Sequence, residues 1–181
     1  MCNPLRKDGY SRGSAGFSSG GTCAFTLSWF HPAEFSRAHS SIGSFTDLLW
    51  DPEGSVPGAS IYSTLVRQQR KNIRVWLSEG SRDLVTDADG PRVLFQAGSW
   101  PINNIQLADS LKLAGYDFHF RYGCAGHNAA QGSLDLPESL AWLWRDYDAT
   151  RTEQQFEQQP SERAQPAYEI SIINRDLASP N

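Results

Sequence analysis

The stretch Gly16-Phe17-Ser18-Ser19-Gly20 decides the fold expected for this chain, because it reads G-x-S-x-G. This pattern is typical of a nucleophile elbow, a sharp turn from a strand into a helix that presents a serine hydroxyl. Glycines tolerate the strained dihedrals and the close backbone approach that such a turn needs. The first N–H groups of the helix stay free to face a developing negative charge. A flexible Gly/Ser linker has the same letters, so the pattern alone leaves both interpretations open.

An acid and a histidine follow the serine in an informative order. Residues 72–77 alternate β-forming side chains, and Asp83 comes in the predicted loop after them. Residues 118–122 predict a second strand, followed by a glycine-flanked loop that holds His127. The order Ser, acid, His is that of α/β-hydrolases. The carboxyl ends of parallel strands share one edge of a sheet, so the three side chains are expected to converge.

These residue types fit nucleophilic catalysis, because a serine needs a base and the base needs an acid to fix its tautomer. Asp87 and Asp89 are competing acids, and we favour Asp83 because it lies nearest the predicted strand. His127 is favoured as the base because it alone lies in a glycine-flanked loop after a strand. The other histidines fall at a predicted helix end or in predicted strands: His31, His39 and His119.

Several separate motifs resemble the enterochelin-esterase-like esterases, a branch of the α/β-hydrolases. The resemblance covers roughly residues 10 to 147. Its segments are 18–25, Trp29, Pro32, Phe35, 42–45, 74–77, Gly80, 83–84, 100–104, 126–127 and 136–147. It implies ester hydrolysis with Ser18 as nucleophile, Asp83 as acid and His127 as base.

The resemblance leaves the substrate open, because the family's esters range from siderophores to carbohydrate-linked and small synthetic esters. A small-molecule ester is expected, with the N–H of Ser19 binding the oxyanion. Trp100, Asn103 and Asn104 are candidate pocket residues, although packing at a helix start explains them equally well. No metal or cofactor is implied, and the ligand spacing of a zinc site is absent.

Composition excludes several other classes of protein. The 181 residues suffice for one domain, and 39% hydrophobic and 12% aromatic residues fit a globular core. A net charge of −4 offers no case for nucleic-acid binding, and no apolar run is long enough to span a membrane. The start lacks the apolar stretch of a signal peptide, and three cysteines show no disulfide spacing. These features predict a cytoplasmic protein.

The predicted elements divide the chain into an irregular start at 1–15, a domain at 16–147 and a disordered tail at 148–181. Helices are predicted at 20–30, 61–70, 101–115 and 136–147, with a short strand and loop over 37–45. A short strand at 170–173 is the expected exception in the tail. The side chains predicted to face inward from the second and last helices are Ile61, Leu65, Val66, Leu136, Leu140, Leu143, Trp144 and Tyr147.

The position of Ser18 predicts a partial fold. A complete α/β-hydrolase has its nucleophile after the fifth strand, yet seventeen residues precede Ser18 here. Residues 10–15 are poor in β-formers, so even that strand is in doubt. We therefore expect the C-terminal half of the parallel sheet with flanking helices. An exposed sheet edge would favour self-association.

The sequence thus predicts a serine esterase in a truncated form with impaired activity, with one oxyanion donor in place of two. The alternative from another class is a non-catalytic remnant that acts as a structural or interaction fragment. A serine peptidase of the same fold is a third interpretation.

Overall fold

A parallel sheet forms the centre of the computed structural model, which describes residues 6–46, 61–84, 98–164 and the backbone of 169–170. Within these ranges five strands lie in the order β1-β2-β3-β4-β5, and every neighbouring pair is parallel. The strands are β1 (Gly13–Phe17), β2 (Arg37–Ser41), β3 (Arg74–Arg82), β4 (Asp117–Gly126) and the short β5 (Glu169–Ile170). The predicted α/β class with a parallel sheet is confirmed.

Helices connect and cover these strands. They are α1 (Ser19–Phe30), α2 (Ile61–Gln68), α3 (Trp100–Leu113), α4 (Ala130–Leu143) and α5 (Pro160–Arg163), with a 3₁₀ turn at Gly9–Ser11. The side chain of Ser99 caps α3 by accepting from the N–H of Ile102, and Gly115 has a φ of 71° just after its end. The first three predicted helices are therefore confirmed. None of the described helices is long and apolar enough to cross a membrane.

The hydrophobic core lies on one face of the sheet. Val75 and Leu77 of β3 belong to it, while Trp76 between them stacks on His119 and meets Trp142 of α4 at its edge. The remaining core side chains come mainly from α1, α3, β4 and the segments beside them: Phe25, Trp29, Ala38, Phe45, Val66, Ile73, Leu107, Ala108, Leu111, Tyr116, Phe118 and Phe120. The alternation of side chains along β3 thus serves two packed layers.

The strand before Ser18 exists despite its composition. It runs over Gly13–Phe17, a short run of small residues that ends in Phe17, and pairs with β2 along its length. Its residues alternate between exposed and half-buried, and it stands first in the sheet order. An edge strand does not need the continuous apolar run of a central one, which explains the weak sequence signal.

Strands β3 and β4 are longer than predicted. They stay paired to Arg82 and Gly126, with a register shift between Gly80 and Arg82, so Asp83 and His127 follow the strands directly. The reason is the close approach of the two backbones: a Cβ at position 80 would lie 2.0 Å from the carbonyl oxygen of Ala125. Glycine at this position lets the pairing continue.

The prediction for the last helix is wrong in its start, in its end and in part of its buried face, although Leu143 is buried as predicted. It begins at Ala130, and Leu136 and Leu140 are 42% and 41% exposed. The buried residues of α4 recur every fourth position: Asp135, Ser139 and Leu143. Asp135 is buried because it accepts from Arg121 of β4 at 2.7 Å. In α2, Val66 is buried, whereas Ile61 is exposed at the helix start, contrary to the prediction.

Residues 148–164 do not agree with the expected disordered tail. Phe156 is buried against the guanidinium groups of Arg37 and Arg74, and its N–H donates to the side chain of Asn72 at 2.8 Å. Residues 171–173 of the strand predicted in the tail lie outside the described residues. The division of the chain at 15 and 147 stays a prediction.

Candidate active site

Ser18 stands at the turn between β1 and α1 with a φ of 55° and a ψ of −125°, a region that residues other than glycine rarely adopt. Backbone hydrogen bonds hold it there. Its N–H donates to Ser41 O at 3.0 Å, and its carbonyl accepts from Gly21 N at 2.9 Å and Ser44 N at 3.1 Å. The turn is therefore fixed on both sides of the serine, from the helix and from the end of β2.

The two glycines of the G-x-S-x-G pattern are not equivalent. A Cβ at Gly16 would lie 1.9 Å from the carbonyl oxygen of Gly20, in the first turn of α1. A Cβ at Gly20 would meet nothing within 4 Å. Only the first glycine is therefore required by the close approach of strand and helix.

The structure brings together the three side chains expected to converge. Ser18 Oγ lies 2.9 Å from His127 Nε2, and His127 Nδ1 lies 2.5 Å from Asp83 Oδ1. The Asp83 side chain is fully buried, whereas the His127 side chain is 26% exposed. A carboxylate on Nδ1–H leaves Nε2 free to accept the hydroxyl proton, which is the arrangement of a Ser-His-Asp triad.

The competing histidines lie elsewhere. His31 follows the end of α1 and is exposed, and His119 stacks on Trp76 within β4. His39 is buried in β2, and burial lowers its pKa. The competing acids Asp87 and Asp89 lie outside the described residues.

Ser19 begins α1 and is exposed. Its N–H belongs to the first turn, where backbone donors have no acceptor within the helix. This position suits a donor to an oxyanion formed beside Ser18. That role stays a prediction.

Trp100, Asn103 and Asn104 are buried at the start of α3. Asn103 Nδ2 donates to Phe45 O at 2.9 Å, and Asn104 Nδ2 donates to Gly43 O at 2.8 Å. The two amides thus fasten the segment after β2, and a role of these residues in a substrate pocket stays a prediction. The Trp100 ring stands edge-on to the His127 ring, with centroids 5.8 Å apart.

Ser44 touches the candidate nucleophile, although its residue type alone does not single it out. Its Oγ lies 3.2 Å from Ser18 Oγ and accepts from Trp100 Nε1 at 3.0 Å. Because the indole N–H occupies one lone pair, the Ser44 hydroxyl is free to donate to Ser18. In the sequence, Ser44 stands out only by its place in the segment 42–45, just after a predicted strand. That position alone does not indicate a catalytic role.

Glu79 is a second residue that the sequence analysis missed. It is 2% exposed within β3, four positions before Asp83. Burial and the neighbouring Asp83 carboxyl raise the pKa of Glu79 to about 10. A charged residue type in a buried strand is the signal that could have identified it. Across the described residues, no group of three or more His, Cys, Asp or Glu is arranged to hold a metal ion.

The geometry therefore has the features of a serine hydrolase, and the sequence comparison gives the family. A family profile described as "Putative esterase" matches residues 3–143. The chain belongs to this esterase family. Among curated proteins, none matches the chain.

Solved structures of esterases share the fold. A ferulic acid esterase has 16% identity and a TM-score of 0.58, with 79% of this chain and 55% of that one covered. The ferric enterobactin esterase of Salmonella typhimurium has 22% identity and a TM-score of 0.54, with coverage of 77% and 31%. FphF, a fluorophosphonate-binding serine hydrolase of Staphylococcus aureus, has 18% identity and a TM-score of 0.56, with coverage of 80% and 58%. The chain thus spans between 31% and 58% of the length of these proteins and is a partial match to α/β-hydrolase esterases.

Proposed function

We propose that this chain is a serine-dependent carboxylic ester hydrolase. The observation that carries the proposal is the continuous contact from Asp83 through His127 to Ser18, placed on an elbow at the carboxyl edge of a parallel sheet. Membership of the esterase family supports it. A small-molecule ester is the proposed substrate.

The geometry supports a two-step reaction. Ser18 Oγ attacks the ester carbonyl carbon while His127 Nε2 takes the hydroxyl proton, and Asp83 stabilises the resulting imidazolium. The oxyanion faces the N–H of Ser19. The intermediate collapses to an acyl-serine, and the leaving alcohol takes the proton from His127. Water, activated by the same base, then releases the acid and restores Ser18.

Aromatic rings flank the candidate base on two sides. The Phe17 ring, 38% exposed, lies 5.7 Å from the His127 ring, and the Trp100 ring lies on it edge-on. Exposed aromatic surface next to Ser18 suits an apolar acyl or alcohol group. Chromogenic p-nitrophenyl esters are therefore a suitable first substrate.

We also propose that the 181-residue chain turns over slowly and self-associates. Within the described residues β1 is the first strand of the sheet, so one row of its backbone groups is unpaired, and Ala15 in it is exposed. An unpaired edge invites a strand from another chain. Among the described residues we assign one oxyanion donor, the N–H of Ser19, and an oxyanion hole with one donor in place of two lowers kcat by about 10²–10³. Ala15→Lys should shift the chain toward monomer in sedimentation velocity, and an unchanged distribution would argue against this edge.

A fluorophosphonate probe tests the proposed function directly. We expect stoichiometric labelling mapped to Ser18 by mass spectrometry, lost in Ser18→Ala and retained in Ser161→Ala, a control at an exposed serine of α5. Labelling at Ser14 or Ser19 would overturn the assignment of the nucleophile. A folded chain that is never labelled would favour the non-catalytic alternative.

The choice of substrate distinguishes the esterase proposal from the peptidase alternative. The same acyl group is offered as a p-nitrophenyl ester and as a p-nitroanilide, which differ only in the bond that is cleaved. Hydrolysis of the ester alone, dependent on Ser18, supports an esterase. Comparable cleavage of the anilide would favour a peptidase.

A further inference from the structure

We propose that Glu79 is a positioning residue of the candidate triad: a neutral carboxylic acid that donates a hydrogen bond to Asp83 and holds its carboxylate toward His127. The inference rests on the proposed function, in which Asp83 orients His127. It concerns a residue that does not touch the substrate and acts through Asp83.

The first observation is an unequal pair of oxygens on Asp83. Oδ1 accepts from His127 Nδ1 and from the N–H of Leu84, each at 2.5 Å. Oδ2 is buried and has no hydrogen-bond donor among the described residues. The carboxyl of Glu79 is its neighbour. A buried carboxylate oxygen without a donor is costly, so a donor is expected there.

The Glu79 carboxyl is the group in place to supply it. Both residues are buried, and besides burial it is the neighbouring Asp83 carboxyl that raises the pKa of Glu79. Two ionised carboxylates cannot share such a bond, because neither has a proton to donate and their charges repel. One proton between them turns the repulsion into a hydrogen bond.

The surroundings decide which carboxyl holds the proton. Asp83 Oδ1 accepts from His127 Nδ1 and from the N–H of Leu84, so this carboxyl already serves as an acceptor. Glu79 faces the Asp83 carboxyl and, across the strand pair, Tyr122 of β4. Burial and the charge of Asp83 hold the pKa of Glu79 far above its usual range, while burial and Glu79 raise the pKa of Tyr122. The proton therefore belongs to Glu79.

Glu79 is itself held in place. Its Oε1 accepts from Gly80 N at 2.8 Å, and its Oε2 accepts from Asn104 Nδ2 at 2.7 Å. A protonated carboxyl keeps these acceptor positions while its O–H donates. Asn104 also donates to Trp100 O at 3.0 Å.

The first turn of α3 thus supports both ends of the triad. Asn104 reaches Asp83 through Glu79, and Trp100 reaches Ser18 through Ser44. A fixed carboxylate plane keeps the imidazole in the orientation that proton transfer needs. This is the role that we assign to Glu79.

Infrared spectroscopy tests the protonation without any need for catalysis. In chain labelled with ¹³C-glutamate, we expect the carbonyl band of a protonated carboxylic acid at neutral pH. The band should be lost in Glu79→Gln and retained in Glu34→Gln, a control at an exposed glutamate. Absence of the band at neutral pH in the wild-type chain would overturn the proposal.

Kinetics test the positioning role. Glu79→Leu removes the donor, and we expect kcat to fall about 10- to 100-fold with KM unchanged. Glu79→Gln keeps an N–H donor toward Asp83 but loses one accepting oxygen, so kcat should stay within about tenfold of wild type. Equal losses in the two variants, or a loss confined to KM, would count against positioning. Circular dichroism confirms that each variant is folded.

The two proposals fail separately. Fluorophosphonate labelling of Ser18 with no protonated band overturns the role of Glu79 and leaves the esterase proposal standing. A protonated band in a folded chain that never labels overturns the esterase proposal, and with it the catalytic role of the Glu79–Asp83 pair. If Glu79→Leu does not fold, the infrared measurement on the wild-type chain still decides the protonation.

Discussion

The candidate triad joins two differently supported regions. The acid and the base stand at the ends of β3 and β4, and β3 is buried from Arg74 to Gly80 between its two neighbours. The serine stands at the end of β1, the first strand of the sheet within the described residues, and its residues alternate between exposed and half-buried. The first region is held by a packed core and the second mainly by local backbone contacts.

The difference teaches which substitutions each region should tolerate. Around Asp83 the supporting groups are buried side chains, above all Glu79 and Asn104. Around Ser18 they are backbone atoms of the turn and the close approach of Gly16 to Gly20. Changes of charge or hydrogen bonding should damage the acid side, and changes of backbone space should damage the serine side.

The largest effect is expected on the acid side. Asp83→Asn keeps the shape but favours the wrong tautomer of His127, and kcat should fall by about 10⁴. Steady-state kinetics on a p-nitrophenyl ester measure this, with Asp109→Asn, an exposed position of α3, as control. A mild effect at Asp83 with a severe one in Asp87→Asn would move the acid to Asp87.

Gly16→Ala should come next. The added Cβ collides with backbone that cannot rotate away, so we expect a loss of about 1–3 kcal/mol in the free energy of unfolding and at least about 10² in kcat. Gly20→Ala is the matched control from the same motif. It has open space and a helical position, so it should be neutral or stabilising by up to about 1 kcal/mol. Urea unfolding measures the free energy of unfolding of both variants. Equal effects would contradict the interpretation that only Gly16 is required for steric reasons.

The pH dependence of the free energy of unfolding is expected to reflect the raised pKa of the buried Glu79. The pKa of Glu79 is raised to about 10 in the folded chain and has the ordinary value of 4.5 when unfolded. Between these values the folded state binds one more proton, so this group's contribution to stability falls as pH rises, by up to about 1.4 kcal/mol per pH unit. Glu79→Gln should flatten the curve relative to wild type. The two curves of unfolding free energy against pH should diverge over about pH 5–9. If the wild-type and Glu79→Gln curves run parallel there, the raised pKa of Glu79 is refuted.

The smallest effects are expected on the path from α3 to the serine. Ser44→Ala removes both hydrogen bonds of the path, and Trp100→Phe removes the one from the indole N–H. Both variants keep most of the packing, so each should lower kcat about 3- to 10-fold. Because they break the same path, the double variant should lose less than the product of the two. Fully multiplicative losses would show that Ser44 and Trp100 act independently.

Local patterns predicted much of this molecule. The parallel sheet, three of the helices and the residues that meet at its edge follow from strand alternation, helix boundaries and the elbow motif, all of which act over a few residues. The errors arose where a face is chosen by a partner distant in sequence. Leu136 and Leu140 are exposed because the ion pair of Asp135 with Arg121 turns the other side of α4 inward.

The sequence by itself determined the α/β class, the elbow and the three residues that converge, because residue type and chain order carry that information. Only the tertiary structure decided that Asp83 directly adjoins His127, that β1 comes first among the described strands of the sheet, and that Ser44 and Glu79 belong to the network. The physical reason is that burial and contacts between distant segments set the pKa of Glu79 and the partner of each polar atom. Neither quantity is a property of a residue taken alone.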